Sequence, residues 1–197
     1  MRNFATLLVG IALLVLLALP SLAAAQQQAG GPLRADRQGW VGGFGVGVGN
    51  ITADCDGCGE VLEAGGLDGH LGLMVNARLA VMGDFWVMGH TENQLTITQA
   101  IVTAAAQFWI THRLWVKGGV GVAQAAYHWK GALVSLRDET DSVPGMMVGV
   151  GYELRSRRDF AIDLQLRYGT GLYSQDATNG YDVVAHNTSL SVGFNWY

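Results

Sequence analysis

Beyond its first 25 residues the chain has no apolar run long enough for a transmembrane helix, no cysteine besides Cys55 and Cys58, and no excess of positive charge. The longest uncharged candidate, residues 94–111, carries Gln94, Thr96, Thr98, Gln99, Thr103 and Gln107, most of them unfavourable on a lipid-facing helix. A helical membrane protein is thereby excluded. The formal net charge of −4 also speaks against a surface that gathers nucleic acid through its phosphates.

What is present begins at the N-terminus. Arg2 precedes an apolar stretch, residues 7–19, broken only by Gly10, and then come Pro20, Ala23-Ala24-Ala25 and Gln26-Gln27-Gln28. A positive start, a short apolar middle and an A-x-A ending make residues 1–25 a cleaved secretory signal peptide, with an uncleaved anchor as the less favoured reading. No cysteine follows Ala25, which argues against a lipoprotein. Arg2 is the only charge in that segment, so cleavage would leave 172 residues at net charge −5, enough for one domain and no second. Residues 26–38 would form a periplasmic leader and residues 39–197 the domain.

Within that domain the side chains alternate with period two, as in strands that turn successive residues to opposite faces. Trp40, Phe44, Val46 and Val48 alternate with Val41, Gly43, Gly45, Gly47 and Gly49. Leu67, Leu71, Leu73 and Val75 alternate with Asp68, His70 and Gly72, and Val81, Phe85 and Val87 with Met82, Asp84 and Trp86. Residues 95–110 alternate poorly. Val116, Val120 and Val122 interleave with Trp115, Lys117, Gly119 and Gly121, and Val148, Val150 and Tyr152 with Gly149, Gly151 and Glu153. Ile162, Leu164, Leu166 and Tyr168 interleave with Asp163, Gln165 and Arg167, and Leu190, Val192, Phe194 and Trp196 with Ser189, Ser191, Gly193 and Asn195. These segments predict eight strands.

A soluble sandwich would carry Thr, Lys and Glu on its polar faces, whereas these are mostly Gly, Ala and Ser with isolated charges, as a narrow enclosed lumen requires. Aromatic residues at strand ends (Trp40, Tyr152, Phe160, Tyr168 and Trp196) suit the girdles of a membrane barrel. Connections alternate in length, 50–65, 89–93, 131–143 and 174–185 against turns at 76–78, 111–113 and 155–159, with 89–93 the one member of the first set that is not longer. Charge follows the same division. The first set, counting Lys130, has net charge −8, and the short turns +4. Such an acidic outer rim repels nucleic acid, and would meet lipopolysaccharide phosphate only through bridging divalent cations.

The segments Gly118-Gly119-Val120-Gly121-Val122, residues 148–154, residues 160–168 and Val192-Gly193-Phe194-Asn195-Trp196-Tyr197 together resemble the outer-membrane β-barrel domain family, the eight-stranded OmpA-like and opacity-type barrels of Gram-negative bacteria. The resemblance covers residues 39–197. It implies an all-β, antiparallel up-and-down barrel in the outer membrane, contact with membrane lipid and lipopolysaccharide, and insertion by the barrel-assembly machinery, which reads a C-terminal aromatic strand. Phe194, Trp196 and Tyr197 are the candidate signal. A peptidoglycan-binding domain such as longer relatives carry is not expected, since Tyr197 ends the chain.

Function is less legible. Asp68, His70, Asp84, Lys117, Glu153, Asp163 and Arg167 all face the predicted lumen, where unpaired charge is strongly unfavourable. Lys117 and Arg167 are therefore expected to bond to Glu153, Asp163 or Asp84 and close the passage, with a proton or ion path as the alternative. Cys55 and Cys58, in the first long connection, read as a local disulfide ahead of a metal site or redox pair, because Asp54, Asp56 and Glu60 would raise a thiol pKa. Zinc would need two more ligands, with only His90 at hand. The calcium-loop-like start at Asp54 fails at Cys58 and Gly65. His186 and Ser189, three apart on a strand, point to opposite faces, so with Asp182 they make no triad. The reading is a non-enzymatic barrel without cofactor or metal, contributing to envelope structure or surface interaction, with an unidentified extracellular ligand. A narrow channel or carrier of small hydrophobic molecules comes next, and a lipid-modifying enzyme last.

Overall fold

The computed structural model describes residues 37–54, 61–92, 95–130, 135–139, 141–157, 159–174 and 182–197. These contain nine strands: β1 (Trp40–Asp54), β2 (Val61–Asn76), β3 (Leu79–Glu92), β4 (Leu95–Trp109), β5 (Leu114–Lys130), β6 (Ser135–Glu139), β7 (Val143–Ser156), β8 (Phe160–Ser174) and β9 (Asp182–Trp196). The sheet order is β4-β3-β2-β1-β9-β8-β7-β5-β6, and β4 also pairs with β5, which closes the ring.

Nine strands make eight staves. β7 pairs with β5 from Leu114↔Tyr152 to Ala123↔Val143, and β6 continues along the same edge of β5 from Ala126↔Glu139 to Lys130↔Ser135. The two are pieces of one stave. The barrel is thus the closed, eight-stranded antiparallel architecture that the alternation predicts.

The strands run further than the alternation does. β1 extends to Asp54 and β2 begins at Val61, inside the predicted connection 50–65, while β6 lies inside 131–143 and β9 begins inside 174–185. The cause is that side-chain polarity stops alternating where the outer face becomes polar, while the backbone ladder goes on wherever a partner edge is available. The short turns are set by their own side chains. Asn76 Oδ1 accepts from the amides of Arg78 (2.9 Å) and Leu79 (3.0 Å), and Thr111 Oγ1 from those of Arg113 (3.2 Å) and Leu114 (2.9 Å). They define a turn end, opposite a loop end where the connections are longer except for the two residues between β3 and β4.

The outer wall is apolar: Trp40, Leu71, Val120, Val148, Leu190 and Trp196 are all exposed. Toward the loop end the outward series turns polar on strand after strand, at Asn50, Glu63, Thr91, Thr98, Gln124 and Thr188. Inside, Trp86, Trp109, Trp115, Met88 and Met147 are buried and fill the lumen. Glycines make room for this filling: a Cβ on Gly151 would strike the Trp115 ring and one on Gly169 the Trp86 ring (2.7 Å), while on the bare inner face of β1 a Cβ on Gly43 would meet the His70 ring (2.6 Å) and one on Gly45 the Asp68 carboxylate (2.5 Å).

Glycine is also needed where neighbouring strands approach closely. A Cβ on Gly121 would strike the Val102 carbonyl and the Thr103 Cα, whereas one on Gly118, facing outward, meets nothing within 4 Å. Gly121→Val is expected to cost about 1–3 kcal/mol and shrink the fraction of protein that runs faster on gels when unboiled. Gly118→Val should leave that fraction unchanged, and equal losses from both would contradict this packing.

Candidate functional site

The lumen is crossed by one basic side chain. β8 and β3 stand on opposite walls of the eight-membered ring, and Arg167 of β8 reaches Asp84 of β3, Nη1 lying 2.9 Å from Oδ1. Its Nη2 lies 2.7 Å from Asp68 Oδ1 on β2, and its Nε donates to Gln165 Oε1 at 3.1 Å. Lys117 of β5 donates from Nζ to the other Asp84 oxygen at 2.8 Å and lies 5.4 Å from the Trp115 ring centroid. All four charged groups are at most 4% exposed. Two cations against two carboxylates, held close in a medium of low dielectric, make each partner's removal expensive.

A second layer begins at Gln165, whose amide donates to Asp163 Oδ1 at 2.8 Å, while Trp115 Nε1 and Asn195 Nδ2 each donate to Oδ2 at 2.9 Å. Asp163 is thus held by neutral donors. Glu153 lies beside it across the β7–β8 ladder and takes its cation from outside the alternating segments: Arg37 Nη2 donates to Oε1 at 2.8 Å. Trp109 Nε1 and the Tyr197 hydroxyl donate to the same oxygen, each at 2.8 Å. The Arg37 guanidinium lies 4.6 Å from the Trp109 ring and 5.3 Å from the Tyr197 ring, a cation–π arrangement.

The seven predicted lumen residues all lie on inner faces, and the structure joins four of them, Asp68, Asp84, Lys117 and Arg167, by direct ion pairs. Neither Lys117 nor Arg167 pairs with Glu153 or Asp163. Asp163 lies four residues before Arg167 on β8, roughly 13 Å along the strand, so a basic side chain at 167 reaches sideways more readily than back down its own strand. His70 is buried, and neither ring nitrogen has a hydrogen-bond partner. Arg37, Trp109, Trp115, Gln165, Asn195 and the inward role of Tyr197 were missed. For Arg37 the only signal was the net charge of −2 on the seven predicted residues, which called for a cation from elsewhere.

Of the C-terminal aromatics, Phe194 and Trp196 face outward, where Phe44 of β1 stacks on Phe194 (5.2 Å) and tilts against Trp196 (6.0 Å), while Tyr197 turns inward. His186 bonds through Nδ1 to the Tyr168 hydroxyl at 2.7 Å on the outer wall, and Ser189 is buried on the inner one. Cys55 and Cys58 lie outside the described residues. Among the described residues no three His, Cys, Asp or Glu side chains are grouped to hold a metal ion.

Comparison with known proteins adds the setting. The family described as outer membrane protein beta-barrel domain matches residues 11–197. Ail, the attachment invasion locus protein of Yersinia pestis, solved in complex with the heparin analogue sucrose octasulfate, is similar in structure with TM-score 0.56 and 18% identity, covering 80% of this chain and 99% of that one. Neisserial surface protein A is similar with TM-score 0.52 and 13% identity, covering 80% of this chain and 95% of that one. At such identities the likeness is one of fold. No curated protein matches in sequence.

The Arg167 bridge has a measurable cost of removal. Arg167→Met is expected to destabilise the barrel by about 3–5 kcal/mol in denaturant unfolding from lipid vesicles, since it strands Asp68 and leaves Asp84 with Lys117 alone. Adding Asp68→Asn should restore part of that loss. A single variant as stable as the parent would mean that the bridge carries no weight.

Proposed function

The chain belongs to the outer membrane protein beta-barrel domain family, and from that premise we propose that it is a non-enzymatic barrel with a lumen closed by its own side chains. In this reading its body contributes to envelope structure, and its acidic external connections carry whatever surface recognition it performs. Residues 1–25 direct export and are cleaved, and the aromatic C-terminus serves assembly. Cys55 and Cys58 form a disulfide in the first external connection, as suits an oxidising compartment.

The observation that carries the closed-lumen reading is the Arg167–Asp84 contact between opposite walls. Eight strands leave an interior that side chains can fill, and here two arginines, a lysine and three tryptophans occupy it. Ions would have to replace paired charges to pass.

For the connections, sign decides the partner. The heparin analogue bound by Ail is a polyanion, whereas the connections of this chain carry net charge −8. A cationic partner, or one bridged by divalent cations, fits such a rim, and a sulfated polymer does not.

A second reading, a carrier of small hydrophobic molecules, draws on one feature of the wall. The β7–β8 ladder stops at Gly145↔Gly171, and there a groove of about 410 Å³ lies among Val120, Pro144, Met146, Thr170 and Leu172. It opens sideways among exposed apolar residues, so it would admit an apolar guest from the bilayer without opening the lumen.

Two measurements test the closed lumen and the assignment of a partner by charge. In planar bilayers the purified full chain is expected to give no steady conductance, and a stable open level would overturn the closed lumen. On immobilised heparin it should elute in the flow-through at physiological ionic strength, where surface charge acts over about 8 Å. Retention there would refute the assignment by charge.

A further inference from the structure

Seven of the eight pairings in the ring join staves that follow one another in the chain. The eighth, β1 with β9, joins its two ends, from Gly42↔Trp196 at the turn end to Asp54↔Val184 at the loop end. No turn holds this seam. At the turn end it is bounded by the residues just outside it, Arg37 before β1 and Tyr197 after β9.

Both of those residues terminate on the same atom. Arg37 Nη2 and the Tyr197 hydroxyl each lie 2.8 Å from Glu153 Oε1, the Tyr197 ring lies under the Arg37 guanidinium, and it meets the Trp109 ring edge-on at 5.9 Å. Arg37 Nη2 also donates to the His112 carbonyl in the β4–β5 turn at 2.8 Å, and the Tyr197 amide to the Asp159 carbonyl at 3.3 Å. Glu153 on β7 and Trp109 on β4 are held by pairings that do not involve the seam. Middle strands thus build a buried carboxylate with an aromatic wall, and the two ends of the barrel supply a guanidinium and a hydroxyl to its Oε1.

We propose that Glu153 is a seam clasp: its carboxylate binds the guanidinium of Arg37 and the hydroxyl of Tyr197 together, fastening β1 to β9 at the turn end. A fully buried carboxylate lacking either donor is strongly unfavourable, so each end favours the seating of the other. The aromatic box selects a planar cation, which stacks as well as donates. This role is separate from the Arg167 bridge, which joins opposite walls and leaves the seam to its ladder. It is also separate from recognition of the C-terminus during assembly, because it acts in the finished barrel.

The test is amide hydrogen exchange on the full chain refolded in phosphatidylcholine vesicles without assembly factors, with Arg37→Gln and Tyr197→Phe as variants. In Arg37→Gln, peptides from residues 42–48 and 190–196 should exchange about tenfold faster, while those from the β4–β5 ladder change less than about twofold. Tyr197→Phe keeps the ring and the aromatic terminus and removes one bond, so it should show a smaller increase at the same peptides. Should Arg37→Gln fail to refold, Tyr197→Phe decides alone. Acceleration spread evenly over all strands, or none at the seam, would overturn the clasp.

Discussion

A barrel wall in hydrocarbon has no water to satisfy its backbone, so every amide and carbonyl in it must find a partner along a neighbouring strand. Closure is the only arrangement that leaves no edge, and the β4–β5 and β1–β9 ladders provide it here. Much else follows. Once eight staves close, the inner diameter is fixed at about the reach of one long side chain, and that dimension lets Arg167 touch the far wall. Trp115 and Trp86 can be bulky because the residues they lie against on β7 and β8, Gly151 and Gly169, are glycines.

Within that fixed diameter, electrostatics sorts the interior into two levels. Near the middle the charges are matched between strands, Lys117 and Arg167 against Asp84 and Asp68. At the turn end Asp163 rests on neutral donors and Glu153 on a residue that belongs to no stave. The four carboxylates and three cations leave the lumen one negative charge from neutrality, with His70 between them lacking hydrogen bonds. A filled interior of this kind supports the outer wall much as a hydrophobic core supports a soluble sheet, with ion pairs taking over part of the work of apolar contact.

The legible part of this structure was the part written in alternation. The facing of Asp68, Asp84, Lys117 and Arg167 follows from parity alone, and so does the outward series from Leu190 to Trp196, because a pleated strand leaves a side chain only two directions. Pairing partners were not legible, since parity says which wall a residue leaves and not which one it reaches. The length of β1 beyond Val48 and the whole of β6 were hidden for another reason, as backbone pairing continues where side chains carry no periodic signal. Arg37 stood outside any strand, and only an unbalanced charge hinted at it.

The polar border of the outer wall has a consequence for where such a barrel can reside. On β1 the apolar outward series runs from Trp40 to Val48 and ends at Asn50, and the series on the other strands are of similar length. Nine residues of strand measure roughly 27 Å, and a tilt near 40° reduces this to about 20 Å of hydrocarbon thickness. A bilayer much thicker than that would have to thin around the wall or draw Asn50 and Glu63 into its acyl region. The border thus acts as a thickness gauge, matching the protein to the thinner of the bacterial bilayers by hydrophobic mismatch alone.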